Sequence, residues 1–190
     1  IMKNNLIFFF ALFFSIFFSY SVSMANEEAK YNVIKKQNGY EIRLYQDRLI
    51  VQAVMEEESG AFRKLFKYIN GANNVSEKMK MTIPVTQVNK NNTSVMQFYL
   101  PSKFSKKTAP DPTNSEVTIE TIKKGYFAVI QYSGWASKKN FIKHSDILRQ
   151  KLIEDKISVE GFAIKATYNA PFTPPPFRRN EAMFRIDWNK

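Results

Sequence analysis

From Glu41 onward the chain spells one pattern twice: strand, strand, helix, strand, strand. Ile42 and Leu44 alternate with polar neighbours, and Leu49–Met55 is a nearly unbroken apolar run. Both read as strands. Glu56-Glu57-Glu58 then places acid where a helix N-terminus favours it. Ser59 is the predicted N-cap of a helix over 60–69. In that helix Phe62, Leu65, Phe66 and Ile69 recur at helical spacing, and Asn70-Gly71 stops it. Strands follow near Thr82–Val88 and Val95–Leu100, with Pro84 restricting the first to an edge or a bulge. After a polar, Pro-containing linker, Pro101–Ser115, the order recurs. Val117–Ile122 and Tyr126–Tyr132 read as strands, Ser137 caps a helix running to about Asp155, and Phe162–Tyr168 and Ala182–Trp188 close the chain. Each helix has one apolar stripe, so two such halves (about 31–100 and 116–189) can share one curved sheet. The expectation is an α+β domain of about eight strands with two flanking helices. The groove between helix and sheet is its natural ligand site.

The connection between the last two strands is unusual. Pro171-Phe172-Thr173-Pro174-Pro175-Pro176-Phe177-Arg178-Arg179 cannot continue a helix or enter the middle of a sheet. A connector that only had to turn would use Gly, Asn or Asp. This one is a stiff loop that holds two aromatics and an arginine pair at fixed places.

The first 25 residues read as a leader rather than as fold. Lys3 precedes a Phe-rich apolar run from Leu6, and Ser23-Met24-Ala25 puts small residues at the −3 and −1 positions of a cleavage site. The expected product is one exported domain over 26–190, periplasmic or secreted. The alternative is an uncleaved anchor over residues 6–22, at the short end of what spans a bilayer. The chain has no cysteine, which excludes disulfides, thiol chemistry and thiolate metal sites. A net charge of +11 suits an anionic partner, a carboxylated ligand or a membrane surface, or simply a well-solvated exterior. Export makes nucleic acid an unsuitable partner. Asn74-Val75-Ser76 and Asn91-Asn92-Thr93 fit a short glycosylation pattern.

Five segments resemble the SOUL/heme-binding protein family: Tyr40–Tyr45, Phe62–Gly71, Lys78–Val85, the Tyr132-Ser133-Gly134 turn, and the run ending Arg178-Arg179-Asn180-Glu181. The last is the most specific, and the five keep their order from about Tyr31 to Trp188. The resemblance implies a distorted antiparallel β-barrel with two flanking helices, binding heme or another tetrapyrrole without covalent attachment; a monomer is expected.

A porphyrin is an apolar plate with two carboxylates on one edge, so it calls for aromatic contacts and nearby cations. The resemblance places Phe62 and Phe66 against the plate and Lys67 near a propionate. Ser59 stands where some relatives carry an Arg, and Arg63 is its candidate replacement. The competing reading is that both phenylalanines simply pack on the sheet. Arg178 and Arg179 either serve the Pro loop or reach a propionate. Phe172 and Phe177 form either a lip over the plate or a plug in the barrel end. His144, the single histidine, is the one imidazole available as an axial ligand, and it sits on the flank of its helix. Tyr68, Met55, Met79, Met81, Met96 and Met183 are the other axial candidates.

Two other classes fit the sequence. The repeat also resembles GyrI-like domains, some of which hydrolyse small molecules on a groove carboxylate. Here the strand-borne acids would be Glu41, Glu120 and Asp187. The basic exterior would also suit weak contact with an anionic membrane. No phosphate loop, nucleophile elbow or metal-spaced cluster is present.

Overall fold

The structure, a computed structural model, describes residues 26–90 and 93–188. The expected leader and Asn91–Asn92 of the second glycosylation pattern lie outside these residues. The strands are β1 (Glu27–Glu28), β2 (Tyr31–Gln37), β3 (Tyr40–Tyr45), β4 (Arg48–Val54), β5 (Thr82–Ile83), β6 (Val85–Lys90) and β7 (Thr93–Tyr99) in the first half. The second half holds β8 (Val117–Ile122), β9 (Gly125–Tyr132), β10 (Val159–Thr167) and β11 (Asn180–Ile186). The helices are α1 (Glu58–Ile69) and α2 (Lys138–Glu154). Among the described residues no helix is long and apolar enough to cross a membrane.

Nine strands form one curled antiparallel sheet in the order β2-β3-β9-β11-β10-β6-β7-β4-β8. Setting β2 aside and exchanging the halves (β3 for β8, β4 for β9, β6 for β10, β7 for β11) gives the same order read backwards. The pseudo-dyad falls where β6 and β10 pair, with Ala166 opposite Thr86. The repeat seen in the sequence is therefore a repeat of topology.

The helices lie on one face of this sheet. Ala61, Leu65, Tyr68 and Ile69 of α1 pack on Val51, Ala53, Met96 and Phe98 of β4 and β7. Leu148 and Leu152 of α2 pack on Ala128, Ile130, Ala182 and Phe184 of β9 and β11. The expected alternation in the last strand holds: Ala182, Phe184, Ile186 and Trp188 join the α2 cluster, and Met183 points to the other face. The central strands β6 and β10 are left between the helices.

The opposite face mixes an aromatic core, Tyr45, Phe127, Tyr168 and Met183, with buried polar groups. One chain crosses four strands: Thr86 donates to Gln97 (3.0 Å), Gln97 to Gln52 (3.1 Å) and Gln52 to Glu120 (2.6 Å). The counterpart of Gln97 across the dyad is Glu181, which is 0% exposed. Its carboxylate accepts from Arg43 through both oxygens (3.0 Å each), from Arg179 (2.9 and 3.0 Å) and from Tyr168 (2.6 Å). Burial opposes the charge on Arg43, and Glu181, Tyr45 and Glu41 together more than restore it.

Four details differ from the sequence expectation. β2 is an additional edge strand; its Val33 and Ile34 are both exposed, so it carries no alternating signal. α1 begins two residues earlier than expected, after Glu57, and Ser59 lies inside it. Pro84 interrupts the expected strand and puts its two parts in different sheets. It splits the segment into β5, which pairs with β1, and β6, which is interior. Strand β10 starts at Val159, with a register shift between Glu160 and Ile164. Ser137 does cap α2, accepting from Asn140 N (3.2 Å).

Burial raises the hydroxyl pKa of Tyr45, Tyr132 and Tyr168, with Glu181's charge adding at Tyr132 and Tyr168, and pushes Tyr68 up to about 12. Each stays protonated in the fold after the unfolded chain would ionise near pH ~10, so their stabilisation is complete below that pH and fades above it. The urea midpoint should therefore fall steeply above about pH 10, and less steeply in Tyr168→Phe. Equal slopes for the two proteins would contradict the burial assigned to Tyr168.

Candidate ligand-binding groove

The groove is the space between α1 and α2, floored by β6 and β10. On its α1 side, Glu58, Phe62 and Phe66 share one flank at i, i+4, i+8 spacing. The direction of this flank is fixed by Glu58, which accepts from Gln87 Nε2 on β6 (2.8 Å) and lies 3.8 Å from Lys165 Nζ on β10. This contact also accounts for the helix start. The acid at the first turn favours the helix N-terminus and bonds to the floor at once.

Phe62 and Phe66 stack on each other, centroids 5.8 Å apart and planes 15° apart. Phe62 rests edge-on against buried Phe98 (5.2 Å, 64°). Both rings keep much of their surface in solvent, 39% for Phe62 and 47% for Phe66. They form a flat apolar ledge and are not core residues, whereas Leu65 and Ile69 are buried. Taking 100° per residue, Arg63 and Lys67 sit roughly 60° and 100° beyond Phe66 toward solvent. Both are exposed, and neither has an ion-pair partner among the described residues. Gly71, at φ +104°, ends the helix just after Lys67.

Lys165 is a floor residue that the sequence reading missed. It is 6% exposed and within 3.4 Å of Gln87 Oε1. The signal was present: Ile164, Ala166 and Tyr168 alternate inward on β10, so a lysine between them had to face the helices. That it would lie between them, and not under one, needed the strand order.

The other candidates lie elsewhere. His144 stacks on Tyr132 of β9, centroids 4.0 Å apart and planes 5° apart. Its Nδ1 lies 2.8 Å from the Asn140 carbonyl, so Nδ1 carries the proton. Four strand steps separate β9 from the β7 strand under Phe62, about 19 Å. The structure thus does not bring His144 to the ledge. Tyr68 is buried, its hydroxyl donating to Pro110 O (2.8 Å). Met79, Met96 and Met183 are buried, while Met55 and Met81 are partly exposed beside the α1 cluster.

The Pro loop leaves the floor strand β10 after Thr167 and is shaped by its own arginine. Arg178 donates to Thr173 O (2.7 Å) and to Pro171 O, and lies over the Trp135 ring (4.8 Å). Arg179 is held by Glu181 and by Glu28 (2.9 Å). Both arginines serve the loop and its surroundings. Phe172 and Phe177 are 88% and 78% exposed, so they do not plug the barrel end. Gly134, at φ +95°, lets the Tyr132-Ser133-Gly134 turn dock on the loop: its N–H donates to Pro175 O (2.8 Å) and its carbonyl accepts from Asn180 (3.0 Å).

Glu41 and Glu120 lie on the face away from the helices, bonded to Arg43 and Gln52, and Asp187 is exposed beyond β11. None of the strand-borne acids stands on the groove floor. Among the described residues no three His, Asp or Glu side chains gather as a metal site.

Fold and groove together define a class: a two-repeat α+β half-barrel with a cation-flanked aromatic ledge between its helices. The chain belongs to the SOUL heme-binding protein family, whose sequence profile matches residues 26–185. It is 27% identical to mouse heme-binding protein 2 over 188 residues, covering 90% of this chain and 88% of that protein. It is 29% identical to Xenopus laevis heme-binding protein 1 over 128 residues, covering 64% of this chain and 66% of that protein. Among solved structures, a hydrolase from Listeria innocua superimposes with a TM-score of 0.57 at 9% identity, over 81% of this chain and 94% of that one. The EcmrR C-terminal domain gives 0.56 at 11%, over 83% and 98%. At such identities these two show a shared fold.

Because Phe66 is half in solvent, Phe66→Ala should leave thermal stability within about 0.5 kcal/mol of wild type, as expected of a surface position. A loss of several kcal/mol, read from urea unfolding, would mean that Phe66 is a core residue after all.

Proposed function

We propose that this protein holds heme or a related anionic tetrapyrrole on the Phe62–Phe66 ledge. The observation that carries the reading is that a heme-binding family member exposes two stacked phenylalanines on α1, flanked by cations without an ion-pair partner among the described residues. The residues fit the ligand. The plate would cover the rings and the outer surface of the floor, and Lys67 and Arg63 would meet the propionates as charge-assisted donors. Lys165 adds a cation at the floor. Heme, when bound, supplies the iron and its spectrum; the chain supplies apolar cover and charge. Nothing at the ledge offers an imidazole, so attachment rests on stacking and charge, which suits holding and handing over a ligand better than redox work. The Ser-x-Ala ending of the apolar leader supports an exported carrier, periplasmic or secreted.

Hemin titration followed at the Soret band tests this. Wild type should shift the band at micromolar protein, and Phe66→Ala should weaken binding by roughly ten-fold, as loss of about half an aromatic contact implies. Lys67→Glu should weaken it more at low salt than at high salt, since the contact is exposed and screened. His144→Ala should leave the titration unchanged. No Soret shift with wild type would overturn the reading, and equal weakening at both salt concentrations would remove Lys67 from the propionates.

A further inference from the structure

A cavity of 290 Å³ opens between β1, the β3–β4 turn and the segment after β7. Leu49, Leu100, Pro101 and Phe104 give it an apolar lining, and Arg48 stands in its wall. Arg48 lies over three rings, 4.0 Å from the centroid of Tyr45, 4.9 Å from Phe127 and 5.3 Å from Tyr99. Its Nη1 donates to Tyr99 Oη (3.2 Å), and its Nε is buried without a partner. Among the described residues no carboxylate pairs with it, although three acids line the same cavity. Each of those acids is engaged elsewhere. Glu27 accepts from Ser102 N (2.8 Å), Glu28 pairs with Arg179 (2.9 Å), and Asp47 accepts from Lys124 N (2.8 Å) and Lys123 Nζ (3.0 Å). An arginine caged by aromatics, with its neighbouring acids turned away, is a cation kept for something that enters.

We infer that this cavity is a second ligand site, which takes a small amphipathic carboxylate whose anionic head meets Arg48 and whose apolar body lies on Leu49, Leu100 and Phe104. The chemistry follows from the walls. The guanidinium favours carboxylate as a planar, paired acceptor. The cavity's volume lies at the small end of ligand pockets, too small for a porphyrin and suited to a short acyl or aryl acid. β1 covers one side through its short pairing with β5 and the bond from Ala29 N to Ile83 O (3.0 Å), so the entrance is closed by little structure. The site shares no residue with the Phe62–Phe66 ledge and does not depend on what the ledge holds.

Octanoate and octanol, titrated into the folded protein by calorimetry with amide chemical-shift mapping, make the test. Octanoate should bind at least about ten-fold more tightly than octanol, the worth of one charge-assisted hydrogen bond. Its shifts should cluster at Arg48, Leu49, Thr82 and Leu100–Phe104. Arg48→Met should remove that preference, and Phe66→Ala should leave it intact. Equal affinity of wild type for acid and alcohol would overturn the proposal, whether or not Arg48→Met folds. Shifts confined to α1 would overturn it too.

Discussion

The Glu181 carboxylate is the group around which the second half of the molecule is organised. It is fully buried and accepts from Arg43, Arg179 and Tyr168 at once. Arg43 lies on β3, Tyr168 follows β10, and Arg179 also reaches Glu28 of β1. One side chain therefore ties the sheet, the N-terminal strap and the Pro loop together. A buried acid is tolerable only when its oxygens are this fully met, and removing one partner of such a set costs about 3–5 kcal/mol. The Arg178-Arg179-Asn180-Glu181 run is explained residue by residue. Arg178 folds the loop, Arg179 and Glu181 lock it to the sheet, and Asn180 fastens the turn before α2.

Commitment of these charges decides where a ligand can be met. The arginines of the Pro loop are bonded within the protein, while Arg63 and Lys67 stand beside an exposed aromatic pair with no ion-pair partner among the described residues. The pseudo-dyad sets the geometry. Each helix covers the strands of its own half, so the pair at the dyad, β6 and β10, remains as the floor between them. The groove is thus a consequence of the repeat, and the ledge is what one half adds to it. α2 presents no matching aromatic pair, its single imidazole being stacked away on Tyr132.

Much of this was legible in the residues because it rests on local signals. Both helices, the cap at Ser137, the stop at Asn70-Gly71 and the alternation from Ala182 to Trp188 follow from spacing and turn chemistry. β2 was not legible, because an edge strand with most of its residues in solvent has no buried face to print a pattern. The start of α1 was misplaced because Ser59 is the better cap in isolation, whereas Glu58 gains its partner from strands far along the chain. Phe62 and Phe66 could be assigned to the apolar stripe but not to its exposed margin; that depends on the strand order that puts β6 beyond β7. Arg48 carried no sequence signal at all, since its three rings come from β3, β7 and β9.

The most direct test of the account is to find where the ligand sits. With nitrogen-labelled protein, ferric hemin should broaden the amide signals nearest its iron first. Early loss is expected around Phe62–Lys67 and on the floor strands β6 and β10, with signals around Glu181 and Arg48 persisting. Early loss around His144 and Tyr132, or on the face away from the helices, would contradict it.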